Sequence, residues 1–180
     1  MSEWKDMTIG DLCDTVSITY RGSDEEVILV NTSDVLEGKI LNHSYVPNKN
    51  LKGQFKKTFQ KDDILYSEIR PANKRFAFVD LDDTARYIAS TKLMVLRPRK
   101  DVVYPRFLYA LLTSQMMLDE MQHLAETRSG TFPQITFSSE LAPTLVQVPS
   151  IETQKRVVSL LDAIEHKIDN NIHINENLVA

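Results

Sequence analysis

The residues best suited by type and spacing to do chemistry are Asp62, Asp63, Glu68 and Arg70. Two carboxylates and a base on a strand could hold a divalent ion against a phosphodiester, as in a metal-dependent nuclease. The third position of such a set needs a group that can position or activate water. An arginine, which does not deprotonate, serves poorly there. Asp62-Asp63 reads more simply as the turn before a strand. His43, His123, His166 and His173 are scattered, and the last two stand seven residues apart, off the one-turn spacing of a two-histidine metal site. The five glycines are dispersed, which excludes a P-loop and a dinucleotide fingerprint, both built on clustered glycines at phosphate. No Asn-Pro-Pro-Tyr-like tetrad of an adenine-methylating centre occurs. The expectation is a chain that carries no catalysis, no metal and no cofactor of its own.

Binding chemistry is better represented. Lys49, Lys52, Lys56, Lys57 and Lys61 fall in a stretch without an acidic residue, with Asn50 and Gln54 as amides able to read base edges and Phe55 and Phe59 as anchors. Arg70, Lys74 and Arg75 surround the Pro71-Ala72-Asn73 turn. Arg128, Ser129 and Thr131, with Gln134 behind them, set small polar donors beside a guanidinium. Any one cluster alone is a solvated surface. Three together in a chain of net charge −4 point to a local phosphate-facing side that the global sum conceals.

These groups need a scaffold. Val16 to Tyr20, Val27 to Asn31, Lys39 to Val46, Ile64 to Ile69, Arg75 to Leu81 and Tyr87 to Leu96 read as strands between turn-prone segments. Met7 to Asp14 reads as a short helix opened by Thr8. From Pro105, Phe107, Leu108, Leu111, Leu112, Met116, Leu118 and Met121 keep helical spacing to about Ala125 and are expected in the core. Residues 126–149 read as mostly irregular. Beyond Pro149, with Ser150 as N-cap, no Gly or Pro interrupts a helix of about 30 residues, about 45 Å long. Val157, Leu161, Ile164, Ile168, Asn171, Asn175 and Leu178 alternate by four and three, the coiled-coil spacing, and Ile172 widens the stripe. The same pattern suits a helix folded back on its own domain; its length favours projection.

The 180 residues, 42% hydrophobic and 26% charged, suit one globular domain with an appendage. There is no apolar N-terminal run and no stretch near the roughly 20 residues that span a bilayer. The single Cys13 has no internal partner for a disulfide. A cytoplasmic protein without membrane contact is expected.

The order of several segments resembles a known family. Trp4 with Thr8-Ile9-Gly10-Asp11-Leu12, then Asp63-Ile64-Leu65-Tyr66-Ser67 before Ile69-Arg70-Pro71, is similar to the target-recognition domain of type I restriction-modification specificity subunits. Pro105-Arg106-Phe107-Leu108-Tyr109 and Ser129-Gly130-Thr131-Phe132-Pro133-Gln134-Ile135-Thr136 fit it too. Val148-Pro149, Glu152, Gln154-Lys155-Arg156-Val157, Leu160-Leu161-Asp162 and Asn170-Asn171 resemble its spacer helix. The resemblance covers essentially the whole chain. It implies an α+β fold: a mixed-sheet recognition domain over residues 1–149, then a coiled-coil helix over 150–180. It implies double-stranded DNA as ligand and a modification (methyltransferase) subunit that carries S-adenosylmethionine as partner. A restriction/translocase subunit and a homodimer through the terminal helix are further expected partners. With one domain and one helix where the family usually has two of each, the chain is expected to be a half-subunit or a fragment of a longer one.

Overall fold

The computed structural model describes residues 4–49, 51 and 53–179, except the side chains of residue 169 and residues 176–179. The chain opens with β1 (Lys5–Thr8), a one-turn α1 (Ile9–Leu12) and β2 (Cys13–Val16). Thr8 ends β1 and caps α1: its hydroxyl accepts from the Asp11 N–H, and the Asp11 carboxylate accepts from the Thr8 N–H at 2.8 Å. The helix expected over Met7 to Asp14 is therefore a single turn between two strands.

Next come β3 (Glu26–Val30), β4 (Val35–Leu36), β5 (Lys39–Ile40), β6 (Tyr45–Pro47), β7 (Phe55–Lys57), β8 (Ile64–Ser67), β9 (Phe76–Phe78), β10 (Tyr87–Ser90) and β11 (Leu93–Pro98). With β2 they build two four-stranded sheets, ordered β6-β3-β10-β7 and β2-β11-β8-β9, while β4 and β5 form a two-stranded ribbon. In the first, β3 and β10 run parallel; the second is antiparallel throughout. The strand expected from Tyr87 to Leu96 is thus two strands in different sheets, hinged at Thr91-Lys92. Likewise Lys39 to Val46 splits into β5 and β6, and of the strand expected over Val16 to Tyr20 only Val16 belongs to β2, while Thr19 pairs with Lys57 as an isolated bridge.

Strands β8 and β11 are covered on both faces, so their runs are almost wholly apolar. Ile64, Tyr66, Met94 and Leu96 face one core together with Leu108, Leu112, Met117 and Met121. Leu65, Leu93 and Val95 face a second core with Val30, Val79 and Ala89 from the other side.

The helix expected from Pro105 to Ala125 is two: α2 (Pro105–Leu112) and α3 (Gln115–Arg128). Ser114 breaks it, its hydroxyl accepting from the Met117 N–H at 3.3 Å as a new N-cap. The break resets the helical phase. Met116, expected in the core, is 74% exposed, and Met117 takes the buried position. A π-turn at Phe137–Leu141 leads to β12 (Leu145–Val148), which pairs antiparallel with β1 in a region expected to be irregular. The final α4 (Ile151–Val179) starts at Ser150, whose hydroxyl accepts from the Thr153 N–H at 3.4 Å. The architecture is α+β.

Candidate nucleic-acid interface

Residues of the three basic clusters from Gln54 to Gln134 lie along one rim centred on the Thr91-Lys92 hinge, whereas Lys49 stands apart, beside the start of β3, where the Asn48 N–H donates to the Glu25 carbonyl at 2.8 Å. Gln54 reaches it through its carbonyl, which accepts from the Thr91 N–H at 2.7 Å. On the other side the Glu68 N–H donates to the Lys92 carbonyl at 3.1 Å, and the Glu68 carbonyl accepts from Ile135 at 2.8 Å. Ile69 bridges Gln134, and the Arg70 N–H donates to the Pro133 carbonyl at 3.1 Å. Loops 70–74 and 129–134 are therefore tied side by side. The β7 strand with Lys56 and Lys57 lies on the far side of the hinge, next to β10.

Within this rim the basic side chains divide into two kinds. Arg70 and Lys56 are exposed, as is Lys49 away from the rim, and among the described residues their charged groups have no hydrogen-bond or ion-pair partner. The others are engaged. Lys57 turns inward and donates to the Thr91 and Leu93 carbonyls at 3.0 and 2.8 Å; burial lowers its pKa. Arg75 donates to the Ser33 and Val35 carbonyls, Lys74 pairs with Glu37 at 3.3 Å, and Arg128 pairs with Glu140 at 3.2 Å. Ser129 accepts from the Phe132 N–H, which shapes the loop carrying Thr131 and Gln134. Lys52 and the neighbouring Asn50 lie outside the described residues.

Arg70 sits on a constrained backbone. Its φ is 46° and that of Lys74 is 53°, left-handed values unusual for side chains of this kind. The bracketed turn is held by Pro71, by the Asn73 N–H on the Arg70 carbonyl at 2.9 Å, and by the Ala72 N–H on Gln122 Oε1 at 3.1 Å. Residues in such conformations persist where the surroundings over-determine them, and they concentrate at functional sites.

Two rim residues escaped the sequence reading. Lys92 is hidden in what looks like one long apolar strand, and only the Thr91-Lys92 interruption marks it. It pairs with Glu68 at 3.5 Å. Arg21 lies beyond the clusters, yet the Tyr20 N–H donates to the Lys56 carbonyl at 2.8 Å and places it beside Lys56.

The nuclease-like residues serve other ends. Asp63 is buried, and Arg97 donates to both of its oxygens at 2.8 Å. Asp62 pairs with Lys100 at 2.6 Å, and Glu68 with Lys92. Among the described residues no group of three His, Cys, Asp or Glu side chains is arranged to hold a metal ion.

Helix α4 carries the second candidate surface. Gln154 and Val158 are buried against the domain, and Val157 packs at the core margin. Farther out Leu161, Ile164, Ile168 and Ile172 are 39–52% exposed and form an apolar stripe with Asn171 and Asn175, also exposed. The side chain of Leu178 lies outside the described residues. No helix among the described residues is long and apolar enough to cross a membrane.

The chain is 43% identical, over 180 residues, to the specificity subunit of the type I restriction enzyme HindI of Haemophilus influenzae, covering 99% of this chain and 39% of that protein. Among solved structures it is similar to the HsdS subunit of Thermoanaerobacter tengcongensis, with TM-score 0.79 and 22% identity over 95% of this chain and 44% of that one. The type I S subunit of M. genitalium is more distant, with TM-score 0.57 and 16% identity over 94% of this chain and 41% of the other. The chain thus spans about two fifths of the length of these relatives. Residues 1–179 match the type I restriction modification DNA specificity domain, and the chain belongs to that family.

Proposed function

We propose that this chain is a non-catalytic, sequence-reading module that binds duplex DNA for a type I restriction-modification complex. The observation that carries this reading is the rim: basic groups from three separate chain segments converge there, and among the described residues its exposed Arg70 and Lys56 have no protein partner. Lys56, with Arg21 and Lys92, suits phosphate contacts, which orient a protein on DNA without reading sequence. Arg70, on its braced loop, suits a guanine edge, with Gln54 and Gln134 as amides for neighbouring bases. Lys57, Lys74, Arg75, Arg128, Ser129 and Thr131 shape and support this surface.

The catalytic work belongs to partners. A modification subunit carries S-adenosylmethionine and methylates adenine at the site this chain selects, and a restriction/translocase subunit joins for cleavage. Both act on DNA in the cytoplasm. The exposed stripe of α4 pairs with the same stripe of a second copy, which sets two recognition domains on a split site. Two-fold symmetry then requires identical, inverted half-sites.

Salt dependence of DNA binding by the complex with its modification subunit tests the rim. Each lost phosphate contact lowers the slope of log K against log salt by about 0.9, so Arg21→Ala with Lys56→Ala is expected to lower it by about 1.8. An unchanged slope removes this strip from the interface. Arg70→Ala, in contrast, is expected to relax discrimination at one base position by about 1–3 kcal/mol.

A further inference from the structure

The junction between α4 and the globular domain is held at two points. At the first, buried Gln154 accepts from the Tyr104 N–H at 2.7 Å and donates to the Pro149 carbonyl at 2.9 Å. This anchors the start of the helix. At the second, two turns on, Arg106 of α2 donates to Asp162 at 2.8 Å and pairs with Glu165 at 3.6 Å. Its guanidinium also lies over the rings of Phe78 and Tyr109, at 5.1 and 5.3 Å from their centroids. Tyr109 is itself fixed from behind. A Cβ at Gly38 would stand 2.4 Å from its hydroxyl, and Gly38 has a φ of +96°. Only glycine suits both the backbone and the space there.

Apolar packing alone does not set the helix direction at this second point. A cleft of about 760 Å³ opens on one side of Arg106, lined by Phe78, Tyr104 and His166, and a smaller one of about 210 Å³ on the other, lined by Ala110, Thr113 and Leu161. With open clefts on both flanks, Arg106 is the side chain that spans them, beyond the apolar seat of Val157 and Val158. The lever is long enough to matter. Some 20 Å of helix extends past Glu165, so about 10° of play moves its far end by about 3.5 Å, one base-pair step.

We propose that Arg106 is a positioning residue: a strut that fixes the angle between α4 and the recognition domain, and through it the number of base pairs between the two half-sites. The inference rests on the split-site reading above. The strut touches no DNA. It acts by holding the helix that joins two recognition domains at one inclination.

The test uses this chain in complex with its modification subunit and a set of duplexes. Each duplex carries the same half-sites, with spacers of the parent length and one base pair shorter or longer. A changed spacer demands bending or twisting of DNA, so the parent is expected to methylate its own spacer at least about tenfold faster than the others. Arg106→Met is expected to reduce that preference to about two- to threefold while the half-site bases stay the same. Asp162→Ala with Glu165→Ala removes the strut from the solvent-facing helix and is expected to do likewise without touching the core. A preference as sharp as the parent's in both variants overturns the proposal. So does a uniform fall at every spacer with the ratio preserved, which marks a merely structural role. A parent complex that methylates no split motif overturns the reading underneath, and the strut with it.

Discussion

Asp63 and Arg97 show how a residue's partner decides its meaning. Alone in the sequence, Asp63 beside Glu68 suggests metal chemistry. In the fold its carboxylate is 1% exposed, receives two hydrogen bonds from Arg97 and accepts from the Gln60 N–H at 2.9 Å. Asp63→Ala leaves Arg97 without its counter-charge and frees the turn. Breaking a buried pair costs about 3–5 kcal/mol, but the Arg97 side chain is 30% exposed and regains some hydration, so about 2–3 kcal/mol is expected. Chemical denaturation of the variant checks this; a loss below about 0.5 kcal/mol would show the pair to be surface-like. The same limit governs the rim. Residue types alone mark Arg70, Arg75 and Arg128 as equivalent cations. That Arg75 is taken by two backbone carbonyls and Arg128 by Glu140, leaving Arg70 open, depends on contacts between segments distant in the chain.

Elements were legible where one local rule sufficed. Thr8 at the opening of α1, Pro105 at a helix start, and Ser150 ahead of a Gly- and Pro-free run mark real boundaries. The misses share a cause: hydrophobic periodicity continues across a break that polar groups or topology impose. Leu111, Leu112, Met116 and Met121 keep one spacing, yet Ser114 recaps the helix and turns Met116 outward. Ile88-Ala89 and Leu93 to Leu96 are apolar on either side of Ser90-Thr91-Lys92 because β10 and β11 are both buried, though in different sheets. The β12 strand exists because the N-terminal β1 pairs with it, a contact no local pattern announces. For α4, the alternating spacing and the exposure of Leu161, Ile164 and Ile168 agree on one exposed apolar stripe, the face that the proposed dimer would bury. Leu161→Asp with Ile168→Asp is expected to convert a dimer to monomers in analytical ultracentrifugation. A dimer that persists would place the contact elsewhere.

At the scale of the whole molecule, one rim faces outward with open cations, and one helix leaves the domain at an angle braced by Gln154 and Arg106. A net charge of −4 is compatible with DNA binding because acidic residues neutralise the cations the fold needs and leave the rim's own exposed. The family and the α+β class were legible from the order of short segments. The convergence of the three clusters was not, since it runs through the Thr91-Lys92 hinge and the Ile69–Gln134 bridge. The most direct measurement is to produce the chain together with its modification subunit in a host lacking such a system, and to map adenine methylation across the host DNA. The account predicts new methylation at a single split motif with inverted half-sites, lost when this chain is omitted. A stable complex that methylates no defined motif, or the same adenines with and without this chain, would contradict it.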